Sequence, residues 1–103
     1  MKAEIITERT RTIGPLQKEI NELEETITRL EKQIEEDTEK LLEASVKGDW
    51  EMINKLNKSI NQAKEKIDIL FKNLATLTDE LDSKTREFEE RLSEFSELPR
   101  ARS

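Results

Sequence analysis

The sequence predicts an all-α fold: an antiparallel two-helix coiled-coil hairpin with a short N-terminal arm. Three observations predict it. Apolar residues recur in two runs with an alternating three-four spacing, a lone Gly-Asp break separates the runs, and charge is segregated along the chain so that its halves complement each other when folded back.

The first run is Leu16, Ile20, Leu23, Ile27, Leu30 and Ile34. Leu16, Leu23 and Leu30 take d positions of a heptad, and Ile20, Ile27 and Ile34 take a positions. Asp37 interrupts at d before Leu41 and Ala44 resume the seam. Pro15 suits a first helical position, where its missing N–H costs nothing. Helix 1 is therefore expected over about 15–46, with residues 1–14 as a separate arm.

A break follows at Val46-Lys47-Gly48-Asp49. Glycine adopts the left-handed conformation that ends helices, and Asp49 can cap the next helix. Residues 46–49 are read as a tight turn. The second run is Ile53, Leu56, Ile60, Ala63, Ile67, Leu70, Leu74, Leu77 and Leu81, continuing more weakly through Lys84, Phe88, Leu92 and Phe95. Pro99 is expected to stop it, giving helix 2 over about 50–97 and a disordered tail at 99–103.

A continuous helix in a parallel dimer is the competing arrangement, and charge argues against it. Residues 15–46 carry four basic and ten acidic groups, residues 47–78 six basic and four acidic, and residues 79–98 three basic and eight acidic. Folding at 46–49 lays the acidic first helix against the basic half of the second. The arm, with Ile5, Ile6 and Ile13, then covers Leu81, Phe88 and Leu92. Exposed pairs contribute only about 0–1 kcal/mol each, so the pattern selects topology more than it stabilises. Asp37 has two readings here, a neighbour of Lys58 across the seam or a side chain turned to solvent.

Composition supports a narrow seam rather than a thick core. The chain has 103 residues, 41% charged, 33% hydrophobic and 4% aromatic, with a net charge of −6. No apolar run approaches the roughly 20 residues of a membrane span, and nothing at the N-terminus reads as a signal peptide. The expected compartment is cytoplasmic, and the expected state is a monomer, with weak self-association as the alternative.

Without Cys or His, the usual zinc and nucleophile chemistry has no carriers. The only glycines are Gly14 and Gly48, so no phosphate-cradling loop is encoded. The many carboxylates are expected on solvated helix faces, with nothing enclosing them. No catalytic residue, metal site or cofactor is expected within this chain.

Candidate contact residues lie on helix 2 and the arm. Lys47, Lys55, Lys58, Lys64, Lys66 and Lys72, interleaved with Asn54, Asn57, Asn61 and Gln62, form the best nucleic-acid surface, since phosphate neutralisation needs clustered cations. A solvated face complementary to helix 1 is the plainer reading. Trp50 is expected to pack over the tip against Leu41, Leu42 and Ile53; exposed, it would serve for stacking on a base or a partner. Phe71, beside Leu70, is read as core widening mid-rod.

The series Gly14-Pro15-Leu16, Leu41-Leu42-Glu43-Ala44-Ser45, Gly48-Asp49, Ile67-Asp68-Ile69-Leu70-Phe71 and Leu77-Thr78-Asp79-Glu80-Leu81 resembles the C-terminal coiled-coil domain of ABC-F ATPases, over roughly residues 13–92. These are duplicated ATP-binding-cassette proteins with no transmembrane part. The resemblance implies a domain of a larger protein whose ATPase sites lie elsewhere. The partners it implies are DNA or ribosomal RNA and the ATPase domains of the same protein. The acidic balance confines any nucleic-acid binding to Lys47–Lys72 and to Arg9 and Arg11. The alternative is a structural or protein-interaction module without nucleic-acid binding.

Overall fold

A computed structural model describes the backbone of residues 2–102 and the side chains of residues 2–94. It contains two α-helices, α1 (Lys2–Lys47) and α2 (Trp50–Arg102), joined by Gly48 and Asp49. Among the described residues, no helix is long and apolar enough to cross a membrane. The chain divides into two units, residues 22–74 around the turn and residues 1–21 with 75–103.

The turn is built by backbone geometry. Gly48 has φ 68°, the left-handed value that ends a helix. Its N–H donates to the Ser45 carbonyl at 3.3 Å, and the Asp49 N–H donates to the Ala44 carbonyl at 3.0 Å. This reciprocal pair is a Schellman motif, which satisfies carbonyls that the end of α1 would otherwise leave open. Asp49 then caps α2, as its Oδ1 accepts the Met52 N–H at 3.2 Å. The first full helical bond runs from the Ile53 N–H to the Asp49 carbonyl at 3.0 Å. One residue thus closes one helix and opens the next.

In the unit around the turn, the heptad register sets Ala44 across from Ile53, Leu41 from Leu56, Asp37 from Ile60 and Ile34 from Ala63. Ile27, Ala44, Leu56, Ile60 and Ala63 are buried there. Their facing seam partners are half-buried, as a two-stranded seam without a third layer leaves them. Ala44 and Ala63 let the backbones approach where a larger side chain would hold them apart.

Asp37 takes neither of its expected places. It is half-buried and accepts the Ser59 hydroxyl at 2.9 Å on Oδ2. Gln33 Nε2 reaches the same hydroxyl oxygen at 3.4 Å. Lys58 is one position further round α2, on its solvent face, so the short hydroxyl beside the seam reaches the carboxylate first.

The other unit pairs the start of α1 with the end of α2. Ile5, Ile20 and Phe88 are buried, and Arg91 donates to Glu8 at 3.0 Å while its guanidinium lies 5.3 Å from the Phe88 ring centre. Residues 2–14 of the expected arm are a continuous part of α1, which passes through Gly14 and Pro15 without ending; Met1 lies outside the described residues. Pro15 forfeits the one bond its N–H would have made to the Arg11 carbonyl, a loss the buried apolar residues on both sides offset. A strict heptad would bury Ile6, yet Ile5 is 6% exposed and Ile6 48%. The stripe slips by one residue upstream of Pro15, as an α-helix of 3.6 residues per turn does when it leaves a 3.5-residue repeat.

At the other terminus α2 runs past Pro99 to Arg102 rather than stopping at 97. So close to a helix end, Pro99 removes one ladder bond and leaves the remaining turn able to form. Ser103, the last residue of the expected tail, lies outside the described residues, as does the side chain of Phe95.

Candidate functional site

The candidate site is the tip of the hairpin. In an antiparallel pair the e positions of both helices share one flank and the g positions the other. The e flank near the turn carries Thr38 and Ser45 on α1 and Trp50 and Asn57 on α2. Leu42, Asn54 and Asn61 at b and Val46 at f extend it outward. In a chain that is 41% charged, these eight residues carry no charge. Glu35, Glu39 and Lys58 bound them.

The flank is also more apolar than its composition suggests. Thr38 Oγ1 donates to the Ile34 carbonyl at 2.6 Å, and Ser45 Oγ donates to the Leu41 carbonyl at 2.8 Å. Both hydroxyls turn back onto their own helix and leave carbon outward. Beside them Trp50 is 72% exposed, Leu42 65% and Val46 89%.

Trp50 therefore does not pack over the tip. As the first residue of α2 after its cap, it stands at e, beside the seam rather than over it. Ala44 and Ile53 form the last seam layer, and the Schellman turn closes the end without it. Phe71 is likewise not core: at e beside the d residue Leu70, it is 49% exposed. In both cases the reading from neighbouring apolar residues failed because one residue on a helix is a rotation of about 100°.

The six candidate lysines are all exposed but are not gathered on one face. Lys55 is at c, Lys58 and Lys72 at f, Lys64 at e and Lys66 at g, so they spread around the solvent arc of α2. Lys47 pairs with Glu43 at 3.5 Å and Lys55 with Glu51 at 3.9 Å, each within its own helix. Arg9 and Arg11 are exposed in the other unit, where Arg11 borders a shallow groove with Ala3, Glu4, Thr7 and Glu8.

The opposite flank holds an open groove lined by Leu30, Gln33, Ser59, Gln62, Lys66 and Ile69, among others. Among the described residues, no group of three acidic side chains is placed to hold a metal ion. Asp37 is the one half-buried carboxylate among them, and Ser59 satisfies it.

Sequence reasoning missed Leu42 and Val46 as surface features. Their signal was present: both lie off the a/d series, at b and f, where an apolar side chain has no seam to enter. Ser59 and Gln33 carried no such signal, because a hydroxyl and an amide at g look like ordinary solvent-facing residues.

Comparison with protein-family models, with curated proteins and with solved structures returns no match for this chain.

Proposed function

We propose that this chain is a non-catalytic helical arm that docks a partner protein through the charge-free flank of its tip. The exposure of Leu42, Val46 and Trp50 on that flank carries the reading. Interface cores are depleted in charge and enriched in Trp, and Trp anchors dominate binding energy where they fill a pocket. The rigid helix pair behind the tip holds these groups in fixed relative positions, which lowers the ordering cost of binding. The activity requires no cofactor.

The test is affinity capture with the intact chain against Trp50→Lys and Val46→Lys. Both substitutions are at exposed positions, so helicity by circular dichroism should be unchanged. Loss of the same captured proteins in both variants is the expected result. Capture that ignores both changes would sink the proposal.

A second reading keeps nucleic acid as the partner, with the chain as the hairpin of an ABC-F type ATPase contacting DNA or ribosomal RNA. The favouring observation is that Lys47 and Lys55 flank an exposed indole in sequence, which suits phosphate contact beside a stacked base. It predicts binding that weakens steeply with salt and falls when Lys55 and Lys58 become Glu. Undetectable binding at low salt would count against it.

A further inference from the structure

The g flank of the unit around the turn is chemically unlike the e flank. Between residues 22 and 74 its g positions hold Lys40, Lys47 and Lys66 and no carboxylate. The neighbouring c positions add Arg29 and Lys55 against Glu22, Glu36 and Glu43, which makes five cations to three anions. On the e and b positions of the same unit, Lys64 alone stands against Glu24, Glu31, Glu35 and Asp68. In a chain of net charge −6, the g flank is a locally cationic strip.

That strip is also grooved. One groove of about 390 Å³ lies beside Leu30, Gln33, Ser59, Lys66 and Ile69. A second, of about 180 Å³, follows it towards the turn beside Lys40, Ala44, Lys47 and Met52. Their floor comes from the half-buried Leu30 and the buried Ala63 and Ala44, because d is the seam position that adjoins g. Ile69 at c is 58% exposed and Met52 at g 44%, so apolar carbon continues from the floor onto the walls.

We propose that this flank docks an acidic, amphipathic helix of a partner protein, as the third strand of a three-helix coiled coil. Such a helix lays its apolar face in the groove between two others, and the residues beside that face reach their g side chains. Lys47 is already engaged by Glu43 at 3.5 Å, whereas Lys40 and Lys66 make no ion pair among the described residues. Carboxylates flanking the incoming apolar stripe answer those two. The carboxylates already on this side lie outside the g rows: Glu22, Glu36 and Glu43 at c, Glu65 at f, and Asp49 in the cap of α2. They confine the partner's acidic residues to the edges of its apolar face.

A nucleic acid would use the lysines and leave the apolar floor, Ile69 and Met52 without a partner, since phosphate contact is electrostatic. A helix uses both. From Leu30 to the turn the grooved strip runs roughly 25 Å, between two and three heptads of a docked helix. This inference does not rest on the reading of Trp50, which stands on the other flank.

The probe is a fluorescein-labelled synthetic peptide of about three heptads, with Leu at a and d and Glu at e and g, titrated with the full chain. Its control carries Lys at e and g instead. The Glu peptide should bind about tenfold tighter than the Lys peptide, and the joint change Lys40→Glu with Lys66→Glu should reverse that preference. Ile69→Glu should weaken the Glu peptide about tenfold or more, because it puts a charge where an apolar contact forms. Trp50→Lys should leave its binding unchanged. All four positions are exposed, and circular dichroism reports whether the helices are intact. The joint change Lys40→Gln with Lys66→Gln adds no acid to the chain; it should abolish the preference and keeps the test open if the Glu variants unfold.

Equal binding of the two peptides, binding of neither, or a preference that the lysine changes leave intact overturns the proposal. Loss of the Glu peptide in Trp50→Lys overturns it too, since that places the peptide on the e flank. A labelled DNA duplex bound more tightly than the Glu peptide, with the same lysine dependence, gives the flank to nucleic acid instead. Partner capture through Trp50 stands or falls separately, because Ile69→Glu leaves the e flank untouched.

Discussion

Gly48 shows how one residue sets the course of the whole chain. Its φ of 68° lies where any side chain meets its own backbone, although nothing stands within 4 Å of the position a Cβ would take. The cost of Gly48→Ala is therefore local: about 1–2 kcal/mol, read as a lower urea midpoint at an unchanged slope. Gly14 is the opposite case. It is helical, with nothing within 4 Å of a built Cβ, so Gly14→Ala should raise stability by about 0.5–1 kcal/mol in the same measurement. Pro15→Ala restores one backbone donor inside α1 and should raise it further, by up to about 3 kcal/mol.

At the scale of the element, each helix is held by a seam only two positions wide. Ile27 and Leu56 are buried in it, so truncating either to Ala should cost about 2–4 kcal/mol by thermal or chemical unfolding. The Asp37 layer is the seam's polar interruption. Ser59→Ala removes the donor and leaves a half-buried carboxylate without its hydroxyl, costing about 1–2 kcal/mol. Replacing Asp37 by Leu while keeping Ser59 should offset that cost or reverse it, since an apolar side chain there completes the layer facing Ile60. If Asp37→Leu proved more destabilising than Ser59→Ala, the layer would not be a polar interruption of an apolar seam. The cap behaves similarly: Asp49→Ala leaves the Met52 N–H without its acceptor and should cost about 1 kcal/mol.

For the whole molecule, the single Trp is a built-in reporter. With no Tyr in the chain, emission reads Trp50 alone. In dilute solution the 72% exposed indole should emit as a water-exposed ring and be quenched freely by acrylamide. Protection appearing only when a binding protein is added is the signature expected of docking through the e flank. Protection already present in dilute solution would mean that the ring packs over the turn after all.

The sequence alone determined the helix class, the seam and the position of the turn, because those depend on period and on backbone chemistry. Leu16 to Ile34 and Ile53 to Leu81 recur at a helical interval whatever they touch, and Gly48-Asp49 can end one helix and cap another through local bonds. What lay off that period was decided by tertiary structure. Pro15 is a helix start by local preference, and only Ile5, Ile20 and Phe88, buried in the same unit, make it cheaper to continue. Asp37 chooses Ser59 over Lys58 because of where the facing helix places a hydroxyl. Trp50 and Phe71 are apolar residues beside a seam, and whether such a residue enters the seam or faces water depends on rotation about the helix axis. The fold was therefore legible in the order of residues, and the interaction surface emerged only once the flanks were known.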